Sequence, residues 1–208
     1  MDLALSDKEY LKQKTEYTGV HPQKFMLWLA FASIAMFFAA VTSALLVKKG
    51  DYRSWENFHL PSVYYFSTGV VILLSAVMHG SLLAYRKANF VWFRSLLFVS
   101  FGLGCLFLGL QYAGWITLQQ NGFPINGNLS GSFIYLITGA HGLHIALGLL
   151  FTLVFLIFSI RSRKDPLYEL RSIINPKRQL NLELLVGYWH FVDLLWIYLF
   201  VFFKMNYL

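Results

Sequence analysis

Cysteine is almost missing from this chain: Cys105 stands alone inside an apolar block. With no second thiol, an intrachain disulfide and a multi-thiolate metal site are both excluded, and the cysteine usage carries no information about redox compartment. Charge is equally sparse, at 13% Asp, Glu, Lys and Arg against 57% hydrophobic residues, with a mean hydropathy of +0.55. That balance lies outside the range of soluble domains and points to a membrane protein. There is no internal repeat, low-complexity tract or Gly/Ser linker to mark a second domain. The first residues, MDLALSDKEYLKQKTEYTGVHPQK, lack the basic-then-apolar layout and small-residue cleavage site of a leader, so residues 1–24 read as a retained tail.

What is abundant is apolar sequence in long runs. Five blocks have spanning length: Phe25–Val47, Val63–Tyr85, Leu96–Leu118, Gly131–Ile160 and Leu184–Phe203. At about 1.5 Å per residue each covers the roughly 30 Å of bilayer hydrocarbon, and the fourth is long enough to tilt. The expectation is an all-α integral membrane bundle of five transmembrane helices, with residues 25–208 as one membrane domain. Aromatic residues make up 18% of the chain, which suits rings placed at two membrane interfaces and in dense helix packing.

The net charge of +7 could suit nucleic acid, but its distribution reads as topology. Lys and Arg on alternate sides of the spans number thirteen against four. The thirteen lie in the N-terminal tail, between Arg86 and Arg94, and between Arg161 and Arg178. The positive-inside bias places the N-terminus in the cytoplasm and the C-terminus outside. Glycines at Gly102, Gly104, Gly109, Gly139, Gly142 and Gly148 offer faces for close backbone approach.

The chemistry-bearing residues lie inside the spans. His79, His141, His144, His190 and Asp193 are all intramembrane, and Glu183 stands at the entrance to the fifth span. His141 and His144 share a helix face, as do Glu183, His190 and Asp193. Counting from the span ends places His144 and Asp193 at similar depth. An unpaired Asp at mid-bilayer costs roughly 2.5 to 3.5 kcal/mol, which protonation or a histidine partner lessens. An interhelical polar network of His141, His144, Glu183, His190 and Asp193 is therefore expected. Three other uses of these groups stay open: a metal site on the HxxH pair, haem ligation, and proton movement as an independent transporter.

Two stretches carry a resemblance. YWHFVDLLWIYLF, residues 188–200, and GSFIYLITGAHGLHIALG, residues 131–148, resemble the last two helices of subunit III of the haem-copper respiratory oxidases, cytochrome c oxidase among them. Trp189, His190, Asp193 and Trp196 fit the first motif; Gly139, His141, Gly142 and His144 fit the second. Glu183, six residues before Trp189, stands where that family usually has a glutamate. Looser similarity runs through Gly104, Phe107 and Gln111, and through His79. The chain matches the last five of the seven helices found in many relatives. It also departs from the pattern: Ile34 and Gly114 stand at two positions where the family carries glutamates, so roles tied to those carboxylates are not implied.

The resemblance implies an accessory subunit of a bacterial terminal oxidase, with no catalytic residue, cofactor or metal of its own. Its expected partners are the dioxygen-reducing, proton-translocating subunit I, subunit II and membrane phospholipid, with haem and copper held by the partners. His79 is the spanning histidine with a candidate proton-related role at the membrane surface. A subunit of a quinol oxidase or nitric-oxide reductase would carry the same motifs.

Overall fold

A computed structural model describes residues 21–51, 59–127, 129–162 and 176–207. Among the described residues it contains five α-helices: α1 Pro22–Asp51, α2 Val63–Arg86, α3 Phe90–Gln120, α4 Leu129–Ser162 and α5 Pro176–Asn206. All five are long and apolar enough to cross a bilayer. Helix is the form these runs must take, because hydrocarbon offers no partner for a peptide N–H or C=O that the helix does not satisfy itself. Each helix extends beyond its expected apolar block. The extension is greatest in α5, which opens at Pro176, eight residues before Leu184. Proline suits the first helical position, where its missing N–H is not needed and its φ is already helical; α1 opens the same way, at Pro22.

The chain forms two compact units, residues 1–37 and 38–208. The described part of the first is residues 21–37, holding the first half of α1. Within it, Trp28 and Phe31 meet edge to face at 6.1 Å, and Ser33 returns its hydroxyl to the Leu29 carbonyl.

In the second unit α2, α3, α4 and α5 make a closed ring: α2 packs on α3 and α5, and α4 packs on the same two from the other side. The second half of α1 reaches α4 and α5. Phe38 meets His144 with ring centroids 5.7 Å apart, the Thr42 and Tyr198 hydroxyls are 3.0 Å apart, and Lys49 donates to the Asn206 carbonyl at the end of α5. Outward-facing side chains such as Leu143, Leu194 and Phe98 are large, apolar and exposed, as a lipid-facing surface requires.

Helix packing is close where side chains are small. A Cβ on Gly104 would stand 2.7 Å from Leu149 Cδ2 and 3.2 Å from Trp189 Cη2, and one on Gly148 would meet Tyr188 and Trp189 at 3.1 Å. Trp189 thus packs against α3 and α4 because two residues there lack side chains.

Two turns close on the same chemistry with different residues. After α2, Asn89 N–H bonds the Ala84 carbonyl and Ala88 N–H that of Tyr85. After α3, Phe123 N–H bonds the Leu118 carbonyl and Gly122 N–H that of Gln119. Both pairs are Schellman closures, which need a left-handed residue at their centre. Gly122 supplies it at φ 88°, whereas Ala88 adopts φ 57° against the steric cost of its Cβ. Asn89 then caps α3 by accepting the Trp92 N–H at 3.2 Å. Ala88→Gly is expected to raise the unfolding free energy in detergent by about 1 kcal/mol and Gly122→Ala to lower it by a similar amount. Denaturant titration followed by circular dichroism measures both, and a loss of stability in Ala88→Gly would show that the turn is held by other forces.

Candidate functional site

The intramembrane polar groups lie along the seams of the ring. The richest seam joins α2 to α5, which run antiparallel. At one end Arg86 Nη2 and Glu183 Oε1 form an ion pair at 2.9 Å, and Gln179 donates to the same carboxylate oxygen at 3.1 Å. Seven residues further along both helices, the His79 and His190 rings face each other at 5.6 Å. Ser75 Oγ and His190 Nδ1 share a hydrogen bond of 2.6 Å. Next, Trp196 Nε1 donates to Thr68 Oγ1 at 3.1 Å, and Tyr65 meets Phe200 edge to face at 5.0 Å. Lys204 closes the far end, 5.8 Å from the Tyr65 ring centroid. Two turns on one helix match two turns on the other, so a single register satisfies the whole series.

One device recurs on three seams. Trp115 donates its indole N–H to Thr138 at 2.9 Å, Trp189 to Thr152 at 2.9 Å and Trp196 to Thr68. Each threonine gives its own proton to the carbonyl four residues earlier, Ile134, Gly148 and Tyr64 respectively. The hydroxyl is therefore held in direction as an acceptor, and both the indole and the threonine are satisfied without water. Tyrosines add further ties from side chain to backbone: Tyr188 to the His144 carbonyl at 2.8 Å, Tyr135 to those of Trp115 and Phe123, and Tyr207 to that of Ser130 at 2.7 Å. Tyr207 lies beyond the end of α5; burial raises its phenol above the ordinary range and keeps it a neutral donor.

Trp196, fully buried, is the centre of the ring. It contacts Tyr64 on α2 at 6.0 Å, Phe107 on α3 at 5.0 Å and His141 on α4 at 5.2 Å between ring centroids. Nearby, Gln111 donates to Ser67 at 3.2 Å. A Cβ on Gly114 would stand 3.0 Å from the Tyr64 ring, so the space beside this glycine is filled by a phenol.

The five residues expected to form one network between α4 and α5 are distributed differently. Glu183 and His190 turn to α2, where Arg86, Ser75 and His79 meet them. His144 bonds the carbonyl of Ala140 in its own helix through Nδ1 at 2.7 Å. His141 is fully buried among Phe38, Phe107 and Trp196, and neither ring nitrogen has a hydrogen-bond partner. Asp193 is 2% exposed, and both carboxylate oxygens lack a partner at hydrogen-bond geometry, although the Ser75 hydroxyl interacts with the carboxyl. A His144–Asp193 hydrogen bond is therefore not formed: the nearby Ala140 carbonyl takes the imidazole first. The partners on α2 were signalled in the sequence by the seven-residue step from His79 to Arg86, equal to that from Glu183 to His190. Ser75, Thr68 and Thr152 carry no such signal, since serine and threonine are ordinary in membrane helices. Among the described residues no three His, Cys, Asp or Glu side chains converge as metal ligands would.

Five apolar spanning helices, with polar groups paired across seams inside a ring of four, define a polytopic integral membrane protein. The family model for cytochrome c oxidase subunit III matches residues 19–207. Among curated proteins, the chain is similar to cytochrome c oxidase subunit 3 of Thermostichus vulcanus, 28% identical over 195 residues with 89% of each chain covered. The protein of the same name from Synechocystis sp. is 30% identical, with 87% of this chain and 75% of the relative covered. That from Bacillus subtilis is 27% identical, with 95% and 89% covered. The chain belongs to the cytochrome c oxidase subunit III family. It is a multi-pass protein of the bacterial cytoplasmic membrane and a subunit of a multisubunit haem-copper respiratory oxidase.

Thr152→Val removes the acceptor of a buried indole N–H and is expected to cost about 1 to 2 kcal/mol of bundle stability. Trp189→Phe in the same chain should make the valine change nearly silent, giving a coupling of about 0.5 to 2 kcal/mol in a double-mutant cycle. Strictly additive effects would mean that the pair does not interact.

Proposed function

We propose that this chain is the accessory subunit III of a bacterial haem-copper terminal oxidase. It takes no part in electron transfer and braces the dioxygen-reducing, proton-translocating subunit I together with its phospholipid. Subunit II and the remaining subunits complete the assembly, and haem and copper belong to those partners. Residues 1–24 form a cytoplasmic tail, and the end of the ring bearing Arg86 and Glu183 faces the cytoplasm; the lysine and arginine bias supports that orientation.

The observation that carries the reading is the match to the subunit III family from residue 19 to residue 207. The engagement of the spanning histidines supports a structural role. His190 is committed to Ser75 and His79, His144 to its own helix, and His141 is wedged between aromatic rings. In this reading the polar core that fixes helix rotation and register is made of Glu183 and His190 tied to α2, with His144 tied to its own helix and His141 and Asp193 buried between helices. Contacts of this kind contribute only about 1 kcal/mol each, so their effect is on geometry more than on stability. His79 lies exposed about two turns from the Arg86 end of α2.

Native purification tests the assignment. Mass spectrometry of the intact complex is expected to find this chain with haem- and copper-bearing oxidase polypeptides, and a reduced-minus-oxidised spectrum identifies the cofactors. The separated chain should show no Soret band and, reconstituted alone, no proton flux. A haem that stays with it would make it a redox protein instead. Asp193→Leu should release more catalytic subunit on detergent washing than Ile34→Leu does; equal losses would count against the polar core.

A further inference from the structure

The seam between α2 and α5 leaves one group over. His79 is exposed on the outward side of α2, beside the His190 ring, and has no hydrogen-bond partner among the described residues. The Arg86–Glu183 ion pair marks the level at which charged side chains leave the hydrocarbon. His79 is seven residues deeper, about 10 Å along the helix axis. Ionisable side chains at such depth almost always face protein or a water-filled cavity. His190, His141 and Asp193 obey that rule inside this chain: the first is half-buried, the other two fully buried. None of the described residues of this chain covers His79, and a neighbouring helix on it would bring it under the same rule.

The surrounding face suits a close neighbour. Gly69, Ile72, Leu73, Ala76, His79 and Leu83 are exposed at the three- and four-residue spacing of one helix stripe. A Cβ on Gly69 would meet nothing within 4 Å, and Ala76 lies one turn from His79. Small residues at these points let a second backbone approach closely enough for a hydrogen bond to form. The second half of α1 is engaged elsewhere, across α4 and α5. The His79 imidazole is also braced from behind, because Ser75 fixes the His190 ring and that ring stands against His79. A braced imidazole directed outward in hydrocarbon is suited to a single acceptor at a fixed position.

We propose that the α2 face centred on His79 is the docking surface for a transmembrane helix of a neighbouring subunit of the same oxidase. His79 hydrogen-bonds across that contact to an acceptor on the neighbour, a carboxylate, a hydroxyl or an unpaired main-chain carbonyl. The proposal rests on the reading of the chain as an oxidase subunit and adds the face by which it is held.

The test places a benzophenone amino acid in the native complex at Ala76 or Leu83, which flank His79, and at Tyr112 on α3 or Leu143 on α4 as controls. Mass spectrometry before irradiation records whether oxidase polypeptides accompany the chain. Their absence would overturn the functional reading and this surface together. With them present, irradiation is expected to join the chain to another oxidase polypeptide from positions 76 and 83, severalfold more than from the controls. Adducts to lipid alone, adducts within the chain, or equal yields from all four positions would overturn the surface and leave the functional reading standing. His79→Leu and His79→Gln provide a second readout: both should keep the thermal transition of the isolated bundle. Leu should lower retention of the neighbour in detergent severalfold, and Gln, which keeps a donor, should preserve most of it. Full retention in His79→Leu would overturn the proposal.

Discussion

A polar group in hydrocarbon must be answered by another group, and that constraint sets most contacts between the helices of this protein. The backbone is answered within each helix. The indoles of Trp115, Trp189 and Trp196, with His190 and Glu183, are answered across seams, and the answers fix which residues of two helices stand level; His141 and Asp193 are enclosed by packing instead. Trp196 shows the consequence most fully. Its indole N–H requires an acceptor, Thr68 provides it, and once the ring is held there it meets Tyr64, Phe107 and His141 from the other three helices of the ring. The hydrogen bond gives little net energy, yet it decides the rotation of α5, and the aromatic contacts follow from that rotation.

The same constraint explains why small residues and aromatics alternate through the interior. Indole rings have to reach a neighbouring helix to spend their single donor, and the neighbour must come close. Gly104 and Gly148 permit this for Trp189, and the threonine acceptors carry only a methyl group beyond the hydroxyl. The bundle is tied by donors that cannot change their mind: an indole can only donate, and a threonine already bonded to its own backbone can only accept.

Five spans and an all-α fold were legible in the sequence because apolar runs of this length have one use. Helix ends were less legible. Phe90 to Arg94 continue α3 beyond its apolar block because Asn89 caps it, and Pro176 starts α5 eight residues before its apolar block. The motif residues were legible as well, but their partners were not. Glu183 and His190 were expected to face α4, whereas matching seven-residue steps bring them to Arg86 and His79 on α2. Sequence position gives depth and face; it does not say which neighbouring helix the face meets. His144 illustrates a second limit, since its Nδ1 bonds a carbonyl of its own helix.

The interior is arranged to hold helices in register, and among its spanning histidines His79 is exposed on the outward side of α2. In the function proposed above, the chemistry of the oxidase lies in other chains, and this one presents a rigid face to them. A density map of the native oxidase tests that most directly. Haem and copper are expected only in neighbouring subunits, with a protein acceptor within hydrogen-bond distance of His79. A haem ligated by a histidine of this chain, or His79 surrounded by acyl chains alone, would contradict it.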